Sequence, residues 1–122
     1  MPVPTLQWFY LAHIFGNRQL RPSFEGFTKR WASVSSLSII IYNFPAVCNG
    51  LDLDANIITD IVKETPNAAG VKLTCGSVAK ITCLASRFPA SRFAGLGGQS
   101  DFLVGGLASG STLPLEMPSQ KL

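Results

Sequence analysis

The sequence predicts an α/β fold in which parallel strands are covered by helices. Two observations carry this expectation. Ser38–Tyr42 and Ala68–Thr74 are apolar runs with little polar alternation, and strands apolar on both faces belong to parallel sheets buried between helices. Between them, Asp52–Glu64 repeats apolar residues at helical spacing. Strand, helix and strand then form a βαβ unit, which is right-handed almost without exception.

The chain has 122 residues, enough for one small domain. It is 47% hydrophobic and 14% charged, and its net charge of +3 is scattered along the chain. There is no basic run and no alternation of basic with aromatic residues, so no nucleic-acid partner is expected. Cys48, Cys75 and Cys83 contain no CxxC spacing, and the only histidine, His13, is far away in sequence. Neither a zinc site nor a disulfide framework follows from that pattern. Free thiols fit a reducing compartment, and the chain reads as cytoplasmic. Leu6–Phe15 is too short to span a bilayer, is interrupted by Gln7 and His13, and lacks the marks of a signal peptide, so no membrane partner is expected.

Residues 1–22 form an unassigned segment with Pro2, Pro4, Gly16 and Pro22 around the cluster Trp8, Phe9 and Tyr10. Leu6, Phe9, Tyr10 and His13 have helical spacing, and His13 reads as structural rather than as a base. The body, 23–109, opens with a helix over Ser23–Val34. Ser23 caps it, and Phe24, Phe27 and Trp31 share a face that packs on a sheet. The Ser38–Tyr42 strand is stopped by Pro45 and Gly50. In the Asp52–Glu64 helix, Leu53, Ile57 and Ile61 form the apolar flank, with Ile58 and Val62 widening it. Asp52 and Asp54 favour the positive end, and Lys63 the negative end. Pro66 and Asn67 end it. After the Ala68–Thr74 strand, Ser77–Phe88 repeats the helical pattern through Val78, Ile81, Leu84 and Ala85. A third strand over Ser91–Gly97, a turn and a weak helix over Asp101–Ser109 complete a β-α-β-α-β-α body. The tail, 110–122, reads as irregular.

Alternate residues of a strand share a face. Lys72 therefore shares a side with Gly70 and Thr74, and Tyr42 with Ile40. If both chemical groups face inward, they meet across neighbouring strands. Burial favours the neutral form of an amine. A neutral amine can attack a ketone and hold it as a Schiff base, an electron sink for breaking the adjacent carbon–carbon bond. A phenol within reach can move the proton. The plainer alternative is a lysine that snorkels to solvent and a tyrosine that ends a strand. Cys75, next to this strand end, reads as a packing residue.

Tyr42-Asn43-Phe44-Pro45, then Gly70-Val71-Lys72-Leu73-Thr74, then Gly97-Gly98-Gln99-Ser100-Asp101-Phe102 resemble, in order and spacing, the dihydrodipicolinate synthase and N-acetylneuraminate lyase family of class I aldolases. Phe44 and Cys75-Gly76 resemble most the fungal members acting on 2-keto-3-deoxy sugar acids or 4-hydroxy-2-oxoglutarate. The resemblance runs from about Phe24 to Ser109. It implies a partial (β/α)8 TIM barrel, about three βα units corresponding to strands five to seven, with a non-matching N-terminal segment. A full barrel takes about 250 residues. It also implies Lys72 as the Schiff-base nucleophile, Tyr42 as proton donor and acceptor, a small 2-keto acid as substrate, and no metal or organic cofactor.

Two departures from the family pattern bear on substrate. Where dihydrodipicolinate synthases place a carboxylate-binding arginine after the tyrosine, this chain has Ala46-Val47-Cys48-Asn49, which disfavours that substrate. The family's glycine-hydroxyl loop after its second strand has no counterpart in this sequence. A catalytically inactive fragment that pairs with full-length homologues, or self-associates as a homo-oligomer, is therefore the alternative, and open sheet edges make such a fragment marginally stable. Phosphate or dinucleotide binding at Gly95–Ser100 is weaker, because the glycine spacing and a downstream acid are missing.

Overall fold

The computed structural model describes residues 7–10, 30, 33–98 and 103–114. In chain order it contains β1 (Gln7–Tyr10), β2 (Ile39–Asn43), a 3-10 turn (Pro45–Val47), α1 (Ala55–Glu64), β3 (Ala68–Leu73), α2 (Val78–Arg87), β4 (Ala94–Gly97), α3 (Leu103–Ala108) and β5 (Leu113–Pro114). The five strands form one sheet in the order β1-β2-β3-β4-β5, and every pair is parallel. A parallel sheet whose spatial order equals its chain order winds in one direction, as a barrel does. A doubly wound sheet reverses at a switch point.

Local chemistry sets the helix limits. Asp54 caps α1 by accepting from the amides of Asn56 and Ile57 at 2.8 and 2.9 Å, an interaction worth about 1 kcal/mol. After α1, the Asn67 side chain donates to the carbonyls of Ser35 and Leu37 at 3.1 Å each, fastening the turn before β3 to the approach to β2. Ser77 caps α2. At its far end, Arg87 reaches across to α1, donating to Ala55 O, Thr59 Oγ1 and Asn56 Oδ1 at 3.0, 2.7 and 2.9 Å. The helix-facing side of the sheet contributes Ile41, Val71 and Leu73, which pack with Ile58, Ile61 and Val62 of α1 and Ile81 and Leu84 of α2.

Two ends of the sheet differ from the sequence reading. Gln7–Tyr10 is a strand pairing with β2 rather than a stretch of helical spacing. Bulky aromatic residues suit a pleated strand, and the β2 ladder satisfies their backbone groups. In the tail expected to be irregular, Leu113–Pro114 pairs with β4. The Thr112 amide and the Ser111 hydroxyl both donate to the Gly95 carbonyl, at 2.8 and 3.0 Å, and so lay the chain beside β4. Pro114 lacks an amide hydrogen, which is tolerated on a terminal strand. Arg30, Ser33 and Val34 are helical. The rest of the helix expected over Ser23–Val34, and His13, lie outside the described residues.

One irregularity sets which side chains share a face. Ile39 pairs with Ala68 but Ile40 with Gly70, so β3 carries one extra residue there. Beyond this bulge Ile40 is level with Gly70, and Tyr42 with Lys72. Gly70 also allows β4 to approach. A Cβ on it would lie 2.6 Å from the Ala94 carbonyl oxygen and 3.1 Å from Ile40 Cδ1.

The three cysteines are free thiols, with Cys48 buried, Cys75 half-buried and Cys83 exposed. Burial pushes the Cys48 thiol above its usual value, and a backbone hydrogen bond at Phe44 pulls the other way but does not cancel it.

Gly70→Ala is expected to destabilise the chain by about 1–3 kcal/mol through overpacking against a backbone carbonyl. Gly95→Ala, whose added Cβ meets nothing within 4 Å, is the neutral control; thermal melts of the two variants compare them. Thiol alkylation followed by peptide mass mapping is expected to label Cys83 first and Cys48 last. Because the folded state holds the Cys48 proton more tightly than the unfolded chain, this thiol contributes stability below the ordinary thiol range of about 8.5 and loses it as pH rises beyond.

Candidate active site

Tyr42 is the penultimate residue of β2, and Lys72 of β3. The parallel register places them directly opposite each other. The Lys72 Nζ lies 4.6 Å from the centroid of the Tyr42 ring. Both are buried, at 4% and 5% exposure. Lys72 does not snorkel to solvent, so the plainer of the two sequence readings does not describe it. An ammonium over an aromatic face gains about 0.5–2 kcal/mol, more as water is excluded. Phe44 packs beside Tyr42 with ring centroids 5.7 Å apart. Tyr10 is level with Tyr42, and Leu96 with Lys72, in the adjoining ladders.

Thr74 follows on the same side as Lys72. Its Oγ1 is buried and has no hydrogen-bond partner among the described residues. Leaving a buried hydroxyl unmatched costs about 1–3 kcal/mol. Gly98 makes room for that hydroxyl: a Cβ there would sit 2.0 Å from Thr74 Oγ1 and 3.0 Å from the Leu73 carbonyl oxygen. The backbone of Gly98 is held by donating to that same carbonyl at 2.8 Å. An unmatched hydroxyl and a buried amine therefore occupy one mouth of the sheet.

The opposite side of the same strand ends is fully bonded. Asn43, 2% exposed, donates from Nδ2 to Asp52 Oδ1 at 2.8 Å and accepts from the Leu53 amide at 3.1 Å. Asp52 forms an ion pair with Lys80 of α2, whose Nζ also lies 3.9 Å from Cys75 Sγ. The sequence reading assigned Asp52 to the helix dipole and did not single out Asn43 or Lys80. A lone amide at the end of an isoleucine run was the available signal, but its partners are nine residues or more away. Thr74 was legible by strand alternation; its lack of a partner was not.

Among the described residues no cluster of three or more His, Cys, Asp or Glu converges as a metal site. No helix there is long and apolar enough to cross a membrane. An apolar cavity of about 240 Å³ lined by Ile81, Leu84, Phe88 and Phe93 lies against α2, and neither Tyr42 nor Lys72 lines it.

No family model matches the sequence. The chain is 52% identical over 97 residues to a Coccidioides immitis protein named, provisionally, a mitochondrial 4-hydroxy-2-oxoglutarate aldolase; the match covers 80% of this chain and 31% of that protein. It is 30% identical to the L-threo-3-deoxy-hexylosonate aldolase of Aspergillus niger, over 84% of this chain and 36% of that one. The chain thus spans about a third of the curated relatives it matches. Its fold superposes with a TM-score of 0.75 on a Coccidioides immitis structure described, provisionally, as a dihydrodipicolinate synthase family protein, at 42% identity, covering 89% of this chain and 33% of that one. The 4-hydroxy-tetrahydrodipicolinate synthase of Methylacidiphilum fumariolicum shares the fold, with a TM-score of 0.77 at 23% identity over 92% of this chain and 35% of that one. One-directional winding, paired strand-end residues and these similarities agree: over most of its length the chain is similar to fungal aldolase-type members of the dihydrodipicolinate synthase family, and it folds as part of that family's (β/α)8 barrel.

Proposed function

We propose that this chain carries the reacting groups of a class I aldolase acting on a small 2-keto acid. The observation that carries the reading is the burial of Lys72 against the Tyr42 ring at paired positions of adjacent strands. The Lys72 amine attacks the C2 carbonyl, and loss of water leaves an imine. Tyr42 relays the proton of the C4 hydroxyl to water as the C3–C4 bond breaks, its own phenolic proton leaving as the new one arrives. The electron pair of that bond moves into the imine to give an enamine, and an aldehyde departs. Protonation of the enamine and hydrolysis release pyruvate and restore the amine. With 4-hydroxy-2-oxoglutarate as substrate, the departing aldehyde is glyoxylate. The Thr74 hydroxyl, buried and without a partner among the described residues, supports a donor role toward an oxygen of the substrate.

The bond changes need neither a metal nor an organic cofactor. For compartment, the free thiols favour a reducing one; the cytosol meets that condition, as does the mitochondrial matrix to which the relative's name points.

Borohydride reduction in the presence of pyruvate, followed by peptide mapping, is expected to place a stable adduct on Lys72. Lys72→Ala abolishes it. Tyr42→Phe, which keeps the ring and removes the proton carrier, slows cleavage of the keto acid by about 100- to 10,000-fold. An unlabelled Lys72 in folded protein would refute the reading.

A second reading, association with full-length homologues without catalysis, draws on the outer edges of β1 and β5, to which no further strand pairs among the described residues. Under it, the chain co-elutes with a full-length relative on size exclusion while Lys72 stays unlabelled.

A further inference from the structure

We propose that Asn43, Asp52 and Lys80 form a staple that positions Tyr42 against Lys72. This proposal rests on the catalytic reading of that pair but concerns a different set of groups. Asn43 and Tyr42 are consecutive on β2, so their side chains leave opposite faces of the strand. Tyr42 points to the candidate active site. Asn43 points to the helix side, where the Leu53 amide and the Asp52 carboxylate hold it.

The staple crosses between two βα units. Asp52 lies in the loop that follows β2, and Lys80 in the first turn of α2, the helix that follows β3. The Asp52–Lys80 ion pair therefore joins the exit of the tyrosine strand to the exit of the lysine strand. Among the described residues one backbone bond links the two strand exits past their last ladder pair, from the Thr74 amide to the Asn43 carbonyl at 2.9 Å. Tyr42 sits one residue before the carbonyl of that bond, and Lys72 two residues before its amide. Splaying of the two exits would open the gap between them first.

The two halves of the pair differ in exposure. The Lys80 side chain is 14% exposed and that of Asp52 46%. The open carboxylate limits what the ion pair adds to global stability, while the carboxylate is anchored to the buried Asn43 amide and to a largely covered lysine. Lys80 also reaches Cys75, three residues beyond Lys72 on the same exit. Asp52, read from the sequence as favouring the positive end of α1, thus converges with Lys80 and the half-buried Cys75 behind the strand ends.

The test reads the Tyr42–Lys72 geometry directly. An amine chain stacked on a ring feels its ring current, so the Lys72 ε-methylene protons are expected upfield of ordinary lysine positions in the folded 122-residue chain. Asp52→Asn and Lys80→Met are expected to lose most of that displacement while the melting temperature moves by no more than a few degrees. Lys80→Arg restores it. A merely structural role would instead lower the melting temperature and leave the shift of the folded fraction unchanged. Retention of the upfield shift in folded Asp52→Asn or Lys80→Met protein would overturn the proposal, as would its absence from the unsubstituted chain. If Lys80→Met does not fold, Asp52→Asn, which keeps the shape of the carboxylate, decides. Because the shift is measured without substrate, failure of borohydride trapping would sink the catalytic reading and leave this outcome separately legible.

Discussion

The pairing of β2 with β3 is the constraint on which the remainder depends. Both strands are parallel and apolar on both faces, and they end in step, so the residue before each exit lies opposite its counterpart. A parallel ladder fixes this alignment through many backbone bonds at once. One residue of slip would turn Lys72 to the helix side and bury an ammonium among isoleucines. The bulge at Ala69, three residues before Lys72, resets the phase, and Gly70 lets β4 close against the same face.

The two faces of these strands divide the work. Behind the strand exits, Ile41, Val71 and Leu73 fill the core, and the amide of Asn43 is matched by a carboxylate and a backbone group. The opposite side holds a buried amine, a buried phenol and a buried hydroxyl that has no partner among the described residues. An unmatched polar atom is a cost for the empty chain and a gain once a ligand oxygen meets it. A packed core behind the strand exits and polar groups gathered in front is the arrangement expected of a binding mouth at the carboxyl ends of barrel strands.

The same winding explains the edges. Each helix returns the chain to the next strand on the same side, so the sheet grows in one direction and curves toward closure without closing within the described residues. In the family, further βα units complete the ring. In this sequence, β1 and β5 are the outermost strands described, short and carrying aromatic residues at one edge and a proline at the other.

By itself, the sequence determined the central elements and pointed to Tyr42 and Lys72 as the candidate pair. Isoleucine runs, helical spacing with Asp and Ser at the starts, and Pro or Gly at the stops are local properties, and they placed β2, α1, β3 and α2 to within a few residues. Tyr42 and Lys72 were legible because their neighbours are apolar and their motifs are specific. The outer strands were not, since four residues at β1 and two at β5 carry too little pattern and become strands only when a neighbouring ladder satisfies their backbone. Nor was the polar group behind the site. Asn43, Asp52 and Lys80 are separated by nine and twenty-eight residues, and only the packing of α2 beside the loop after β2 brings an amide, a carboxylate and an ammonium within bonding distance.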